Sequence, residues 1–351
     1  MVDIKSTRVF KINDRIIGDD YPPFVVAEIG INHGGSMEKA LKMVEQAAAV
    51  GCECIKFQCH IVKDEMIPNA IIPSNASESI WDIMERCSLS YENEKLLKSK
   101  TEKLGMIFLS TPFSREAADR LNKMDVKAFK IGSGECNNIP LLKHIAGFKK
   151  PVILSTGMND LDSVARSVAI FSNSGISVAL LHCTSIYPTP YRDVRLGALT
   201  EMRKAFPQLV IGLSDHTTNN YVCFGAVSLG ARILERHFTS DKNWPGPDMP
   251  ISMDPVDLKD LIQGSRAIFE ASGGKKNVLN EEEPTIKFAF GSVVTISNIK
   301  KGEVLSRDNI WVKRPGTGEI RAEMYDSLIG RHVINNIPID KQLRWGDLEK
   351  K

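Results

Sequence analysis

Short apolar runs alternate with amphipathic stretches through most of the chain, a pattern that predicts parallel strands joined by helical crossovers. Amphipathic stretches such as SMEKALKMVEQAAAV and SREAADRLNKM separate the runs. Eight strand and helix repeats favour a closed (β/α)8 TIM barrel over an open doubly wound sheet. The lack of a GxGxxG sequence after the first run further lowers the dinucleotide-binding alternative. The eight apolar runs are residues 24–30, 52–58, 106–111, 127–132, 151–156, 177–183, 209–214 and 232–237.

The repeat pattern ends at residues 273–285, GGKKNVLNEEEPT, whose Gly, Lys and Glu content is typical of a linker. We therefore predict a barrel domain over residues 1–272 and a small β-rich domain over residues 286–351. A domain of that size is marginally stable alone, so we expect it to lean on another surface. The long segment 61–89 is expected to be a lid or binding loop.

The composition is that of a soluble globular protein. The chain has 351 residues and a mass of 38.9 kDa, with 42% hydrophobic residues, 25% charged residues and a net charge of +2. This balance gives no reason to expect nucleic acid as a partner. The N-terminal sequence VDIKSTRVFKIND lacks a signal core, and no apolar run reaches membrane-spanning length, so we expect a cytoplasmic protein. The seven cysteines lack CxxC spacing and are interpreted as reduced, mostly buried thiols.

Two consecutive strands end in histidine. The sequence GLSDHT contains His216, and LERHFT contains His237. Most single histidines are packed or exposed residues rather than ligands. Imidazoles at neighbouring strand ends, however, can bind one metal ion together. The repetition therefore predicts a divalent metal site.

Charged residues also occur at the predicted strand ends. Lys56 and Gln58 alternate in IKFQ, Lys130 lies on the fourth strand, and Glu28 lies on the first. A buried lysine is costly unless an anion accompanies it, so a phosphate or carboxylate ligand is expected. The alternative is structural pairing of Lys56 with Glu28 and of Lys130 with Glu135. Schiff-base aldolase chemistry is a further alternative, but the paired histidines argue against it because an imine requires no Lewis acid.

Hydroxyl groups cluster at the same ends. Such residues often cap the following helix, yet a capping hydroxyl can also donate to phosphate. His182 fits a packed histidine as well as a site residue, whereas Tyr187 lies in a Pro-bounded loop and could reach a substrate. The hydroxyl residues are Thr111, Ser133, Ser155, Thr156 and Ser214.

Together these motifs resemble the bacterial N-acetylneuraminate (sialic acid) synthases over nearly the whole chain. Residues 286–351, with VKRPGTG, are similar to the antifreeze-like (SAF) domain of that family, and IWDIMERCSLS at 80–90 resembles its sialic acid branch. The motifs in order are EIGINHGG, IKFQ, STPFS, KIGSGE, LSTGM, HCTSIYPTP, GLSDHT, ERHFT and PGPDMPISM.

The resemblance implies condensation of phosphoenolpyruvate with N-acetylmannosamine, giving sialic acid and phosphate with cleavage of a C–O bond. His216 and His237 would bind manganese, with magnesium or cobalt as substitutes. Glu135 would handle protons, and Arg314 would contact the N-acetyl group. The residues implied to bind phosphoenolpyruvate are Lys56, Thr111, Lys130, Ser133, Ser155, Ser185 and Tyr187. The residues implied to orient the amino sugar are Glu28, Gln58, Asn75 and Asp248.

The resemblance also implies a homodimer in which the C-terminal domain covers the partner's active site. Ser185 is a departure, since some members of the family carry Asn there. Synthases of legionaminic and pseudaminic acid share most of these motifs, and their products remain alternatives. A non-catalytic sugar-binding or ice-binding protein is a further alternative, disfavoured because binding alone gains nothing from a charged barrel mouth.

Overall fold

The computed structural model describes residues 8–350. Contacts divide the chain into two compact units, Met1–Gly273 and Gly274–Lys351. This division lies beside residue 272, the predicted end of the barrel domain. Residues 1–7, which begin the segment predicted to lack a signal core, lie outside the described residues, as does residue 351. No helix among the described residues is long and apolar enough to cross a membrane.

An antiparallel hairpin that the sequence pattern did not predict precedes the barrel. It consists of β1 (Val9–Ile12) and β2 (Arg15–Gly18). Its buried Phe10 and Ile17 pack with residues at the amino ends of the barrel strands, among them Phe24. The hairpin therefore closes the barrel at the end opposite to the strand exits.

Eight parallel strands form the sheet of the first unit, in the order β5-β4-β3-β10-β9-β8-β7-β6. The two strands at the ends of this order, β5 and β6, pack side by side, so the sheet curls into the predicted TIM barrel. The strands are β3 (Phe24–Gly30), β4 (Cys54–Cys59), β5 (Ile107–Pro112), β6 (Phe129–Ile131), β7 (Val152–Ser155), β8 (Val178–Cys183), β9 (Val210–Asp215) and β10 (Ile233–His237).

Helices surround the sheet and bury one apolar face against it. In the first of them, Ala40, Met43, Val44 and Ala47 are buried, the spacing of one helix face. The Ser36 side chain caps its first turn by accepting a hydrogen bond from a backbone N–H. The helices are α1 (Met37–Ala49), α2 (Val62–Glu65), α3 (Ile80–Cys87), α4 (Tyr91–Lys103), α5 (Arg115–Lys123), α6 (Ile139–Ala146), α7 (Leu161–Ser172), α8 (Tyr191–Val194), α9 (Leu196–Ala205), α10 (Tyr221–Ser228) and α11 (Pro255–Ala271).

The long segment after β4 is not an open loop, because it contains α2 and α3. The Asp64 carboxylate accepts a hydrogen bond of 2.9 Å from the backbone N–H of Glu116. This contact ties α2 to the first turn of α5. The helix is thus fixed to the barrel scaffold although it has only four residues.

The second unit has a separate hydrophobic core, which includes Val293, Leu305 and Leu343. Its strands pair antiparallel. The predicted linker 273–285 is partly helical, because the first helix of the unit begins at Glu283. All seven cysteines of the chain are buried and free. The elements of this unit are α12 (Glu283–Ala289), β11 (Ser292–Thr295), β12 (Ile310–Lys313) and α13 (Tyr325–Leu328).

Candidate active site

A cavity of about 340 Å³ opens at the carboxyl ends of the barrel strands. Side chains alternate along a strand, so each strand can direct one or two residues into the barrel axis. All eight barrel strands contribute to the lining, and Ser185 and Tyr187 of the loop after β8 add to it. One lining residue from each strand, from β3 to β10, is Glu28, Lys56, Thr111, Lys130, Ser155, Cys183, Ser214 and Glu235.

Two lysines and two carboxylates form a buried cluster in this cavity. Lys56 Nζ lies 2.7 Å from Glu28 Oε2, as the structural-pair alternative predicts. Glu235 Oε1 lies 3.7 Å from Lys56 Nζ and 3.5 Å from Lys130 Nζ, and it accepts a hydrogen bond from Ser214. Lys130 therefore pairs with Glu235 and not with Glu135. The sequence analysis missed Glu235, although it precedes His237 by two residues and so lies on the same strand face.

Burial and pairing shift the pKa values of this cluster in opposite directions. Burial raises the pKa of Glu28 to about 7, and Lys56 only partly opposes the rise. Burial also raises the pKa of Glu235, but Lys130 and Lys56 together outweigh it and lower that pKa below its usual value. Burial lowers the pKa of Lys130. The pKa of Glu28 is thus higher than that of Glu235, so Glu28 binds a proton more readily than Glu235 in the same cavity.

Most of the predicted hydroxyl groups belong to this site. Thr111 accepts a hydrogen bond of 3.1 Å from Lys56 Nζ, and Ser155 accepts one of 2.7 Å from Lys130 Nζ. Ser133 lines the cavity, and its hydroxyl accepts a hydrogen bond of 2.9 Å from a backbone N–H after β7. These three hydroxyls lie around the ammonium groups of Lys56 and Lys130. Together they offer hydrogen-bond donors that suit an anion with several oxygen atoms, such as phosphate.

Thr156, His182 and Glu135 are among the predicted residues that do not line this cavity. The Thr156 hydroxyl donates to the carbonyl of Leu181, and His182 Nε2 donates to the carbonyl of Val194 at 2.6 Å. Both therefore serve as packed, hydrogen-bonded residues at the ends of their strands. Glu135 lies in a short 3-10 turn after β6, and its carboxylate accepts a hydrogen bond from the side-chain amide three residues ahead.

The two histidines do converge, with ring centroids 5.6 Å apart. His216 Nδ1 lies 2.9 Å from the carbonyl of Thr184, to which it donates, so its other nitrogen is free to act as a ligand. His237 Nδ1 is buried without a hydrogen-bond partner and lies 3.7 Å from Asp248 Oδ2. The Tyr187 ring packs against His216 with centroids 4.1 Å apart.

This donor set fits an open metal site. Burial lowers the pKa of His237 well below its usual value, so this imidazole is neutral, as a ligand must be. Burial also lowers the pKa of His216, but the nearby sulfur of Cys183 and the hydrogen bond to the carbonyl of Thr184 outweigh burial and raise this pKa to about 9. A metal ion would therefore compete with a proton there. No three potential ligands cluster within residues 8–350, so water and substrate would complete the coordination.

A second cavity, of about 540 Å³, adjoins the first and shares Gln58, Phe113 and Tyr187 with it. Gln58 Nε2 donates to Glu28 Oε1 at 3.0 Å, which links the two cavities by a hydrogen bond. The predicted sugar contacts Asn75 and Asp248 both line this second cavity. Its other lining residues include Ile31, His60, Glu65, Ile80, Ile83 and Met84.

Arg314, the remaining predicted residue, belongs to the second unit. It lines a cavity of about 620 Å³ within that unit, together with Lys313, Lys341 and Arg344. Acidic residues Glu319 and Asp340 also contribute, so the lining carries both signs of charge.

Comparisons with known proteins show the family to which the chain belongs. The chain matches the NeuB family over residues 43–277 and the SAF domain over residues 290–349. It is 40% identical to an uncharacterized protein of Methanocaldococcus jannaschii over 340 residues, 96% of this chain and 98% of that protein. It is 37% identical to the N,N'-diacetyllegionaminic acid synthase of Campylobacter jejuni over 330 residues, 91% of this chain and 98% of that protein.

A solved structure is similar throughout the barrel fold. The N-acetylneuraminic acid (sialic acid) synthetase of Leptospira borgpetersenii aligns with a TM-score of 0.73 and 30% identity, covering 80% of this chain and 95% of that one. The resemblance found from the sequence motifs is thereby confirmed at the level of the family.

The Glu235→Gln variant tests the charge cluster. Glutamine keeps the size of the side chain but leaves two buried ammonium groups with one carboxylate. We expect the variant to lose about 3 kcal/mol of folding stability, the usual cost of removing one partner of a buried pair. Because an anion can replace the missing charge, inorganic phosphate should raise the midpoint of thermal unfolding more in the variant than in the parent protein.

The matched control is Glu270→Gln, which breaks an exposed helical pair with Arg266 at 3.2 Å and should leave the midpoint unchanged. Equal midpoints and equal phosphate protection for Glu235→Gln and the parent would show that Glu235 does not balance the lysines.

Proposed function

The chain belongs to the NeuB family of synthases, which condense phosphoenolpyruvate with a sugar to form nonulosonic acids, and from that premise we propose the reaction and residue roles that follow. The proposed reaction joins phosphoenolpyruvate to N-acetylmannosamine and gives N-acetylneuraminic acid and phosphate.

The observation that supports this proposal is the pair of adjoining cavities. The first is lined by two lysines and several hydroxyl groups, chemistry that suits the phosphate and carboxylate of phosphoenolpyruvate. The second combines carboxylates and amides with apolar side chains, chemistry that suits a sugar with hydroxyl and acetamido groups. Gln58 and Tyr187 line both cavities, so the reacting carbons of two bound substrates would meet beside them.

The residues of the first cavity would bind phosphoenolpyruvate through its negatively charged phosphate and carboxylate groups. Lys56 and Lys130 would attract the anion, and the hydroxyls of Thr111, Ser133 and Ser155 would hydrogen bond to its oxygens. A site that is already hydrogen bonded before substrate arrives requires little rearrangement when charge develops. Ser185 lines the same cavity and is assigned to the substrate as well.

The condensation forms one C–C bond and one C–O bond to water, and it breaks the C–O bond to phosphate. Carbon 3 of phosphoenolpyruvate bonds to the aldehyde carbon of the sugar, water adds to carbon 2, and phosphate leaves with its bridging oxygen. The alkoxide on the sugar gains a proton, and the attacking water loses one. Glu28, whose pKa burial raises to about 7, is placed to accept and return a proton near neutral pH. Glu135 follows Ser133 and Gly134, which line the first cavity, and a role for it in proton transfer stays a prediction.

His216 and His237 would hold a divalent metal, most simply manganese. When bound, such an ion polarises the sugar aldehyde and so makes its carbon a better electrophile. The protein's own contribution is to keep His237 neutral and to fix the orientation of His216 through the carbonyl of Thr184.

A second sugar substrate is favoured by the likeness to the diacetyllegionaminic acid synthase. Sugars of that class differ from N-acetylmannosamine at carbon 6 and carry a second acylamino group. The sugar cavity has an apolar wall of Ile31, Ile80, Ile83 and Met84, which could accommodate a methyl group at either position. We therefore keep the diacetamido sugar as the alternative substrate.

Turnover with a sugar panel tests the function and separates the two substrates. With phosphoenolpyruvate and metal, we expect phosphate release to depend on an N-acylated mannose-type sugar. With phosphoenolpyruvate labelled with ¹⁸O at the bridging oxygen, the label should appear in phosphate. Label in the sugar product instead would contradict C–O cleavage, and no release with any panel member would contradict the synthase proposal. We would measure kcat/KM with N-acetylmannosamine and with the diacetamido sugar. The sugar with the higher value is the preferred substrate.

Removal of either histidine tests the metal site. His216→Ala and His237→Ala should each lose more than about 100-fold in kcat, since a Lewis acid contributes several kcal/mol to charge stabilisation. A second measurement is independent of activity: loss of the free Mn²⁺ signal in electron paramagnetic resonance should show one site in the parent and weakened binding in both variants. His33→Ala, which removes another buried histidine, is the control for burial. Normal Mn²⁺ binding by His237→Ala would contradict the assignment.

We further propose a homodimer in which the second unit contributes Arg314 to the partner's sugar site. A guanidinium can donate two hydrogen bonds to an acetamido oxygen and its neighbours, which a lysine cannot reproduce. Exposed apolar side chains on this unit supply the surface that an association would bury. They are Phe288, Phe290, Trp311, Ile339 and Trp345.

Subunit mixing tests the exchange. Arg314→Ala should raise the KM for the sugar, and truncation after residue 285 should abolish condensation while leaving Mn²⁺ bound. When Arg314→Ala protein is mixed with His237→Ala protein, exchange should restore sites that contain both residues, and activity should recover. Absence of recovery, once exchange is demonstrated by mass-tagged subunits, would place Arg314 in its own chain's site or outside any site.

A further inference from the structure

His60, the residue directly after β4, is a buried histidine that the reaction described above does not use. Its Nδ1 lies 2.8 Å from Glu65 Oε2, and its Nε2 lies 3.0 Å from Gln58 Oε1. The ring stacks on Phe113 with centroids 4.6 Å apart. His60 therefore lies in the wall of the sugar cavity, between the short helix α2 and a residue shared by both cavities.

The orientation of the Gln58 amide is fixed by its other contact. Gln58 Nε2 donates to Glu28 Oε1 at 3.0 Å. When Glu28 is ionised and paired with Lys56, the reverse orientation would place the amide oxygen against that carboxylate oxygen. Gln58 consequently presents its oxygen, an acceptor, to His60.

Both nitrogens of the His60 ring thus face acceptors, one a carboxylate and one an amide oxygen. A neutral imidazole has a single N–H and could satisfy only one of them, whereas an imidazolium donates from both nitrogens. Three other titratable groups bear on His60: Glu65 on α2, Glu94 on α4 and His33 after β3.

We propose that His60 is held as an imidazolium by Glu65 and is the positioning residue for Gln58, so that helix α2 fixes the orientation of this carboxamide in the sugar cavity. The assignment of the sugar as the affected ligand rests on the proposed function. The protonation of His60 and its hold on Gln58 do not.

The contacts form a continuous chain from the surface segment to the charge cluster. It runs from Glu65 through His60, Gln58 and Glu28 to Lys56, with each step between 2.7 and 3.0 Å. Because the Asp64 carboxylate ties α2 to α5, the outer end of the chain cannot move freely. Loss of the central ring would leave Gln58 with one hydrogen bond and free to rotate.

Nitrogen NMR tests the proposal without any need for turnover. With ¹⁵N-labelled histidine, and His60→Ala to assign the signal, we expect protons on both ring nitrogens of His60 at neutral pH. Glu65→Gln, which removes the countercharge, should convert the ring to the neutral form at the same pH. A neutral ring in the parent protein would overturn the proposal, because one of its two nitrogens would then carry no proton to donate.

The side-chain amide signal of Gln58 gives the second readout. In His60→Ala, hydrogen exchange of this amide should accelerate at least about tenfold, the factor expected from loss of one charge-assisted hydrogen bond. His144→Ala is the matched control, because His144 also pairs with a carboxylate, Asp119 at 2.7 Å, on the outer helices. An unchanged Gln58 amide in His60→Ala would overturn the positioning role even if His60 is charged.

Kinetics then connects the residue to the sugar. In an enzyme active with any panel sugar, His60→Ala should raise the KM for that sugar about tenfold and change the KM for phosphoenolpyruvate less than twofold. Imidazole in the assay should partly restore the lower KM by filling the space beside Phe113. Equal increases in both KM values would indicate a general structural defect and contradict the assignment. Absence of turnover in the parent would contradict the proposed function alone, since the NMR results stand independently.

Discussion

The site depends on the burial of four charged side chains inside the barrel. Lys56, Lys130, Glu28 and Glu235 are each at most 5% exposed, and an unpaired buried charge would cost several kcal/mol. The cluster is stable only because each charge has an opposite partner within 4 Å and because hydroxyl groups complete the hydrogen bonds. Such a cluster adds little net stability. We therefore interpret it as functional, in line with the proposal that it receives the anion of phosphoenolpyruvate.

The closed barrel is what makes this cluster possible. Each strand supplies one or two inward side chains at its carboxyl end, so eight strands bring together residues more than 200 positions apart in sequence, such as Glu28 and Glu235. The amino end of the barrel is filled by apolar side chains and closed by the β1–β2 hairpin around Phe10. One end of the barrel is consequently a packed core and the other is polar, and only the polar end has room for substrates.

The second cavity shows how the segment after β4 extends the site. This segment supplies Glu65, Asn75 and the apolar residues of α3, and Asn75 donates to the carbonyl of Pro247 on the opposite side. A sugar would thus contact two loops that a hydrogen bond already joins. The chain of contacts through His60 transmits the position of α2 to Gln58 and from there to the lysine cluster. In the proposed reaction, these hydrogen bonds would connect the binding site of one substrate to that of the other.

The sequence by itself predicted the barrel, a division near residue 272 and those candidate site residues that follow a local rule. Periodicity gave the strands, and position at a strand end identified Lys56, Lys130, His216 and His237, because alternation is a property of the backbone alone. The hydrogen-bond and ion-pair partners of these side chains could not be predicted in this way. That Lys130 pairs with Glu235, that Thr156 turns toward a backbone carbonyl, and that His60 lies between two acceptors depend on which strands become neighbours and at what register. These contacts form only when distant segments pack together, so only the tertiary structure decided them.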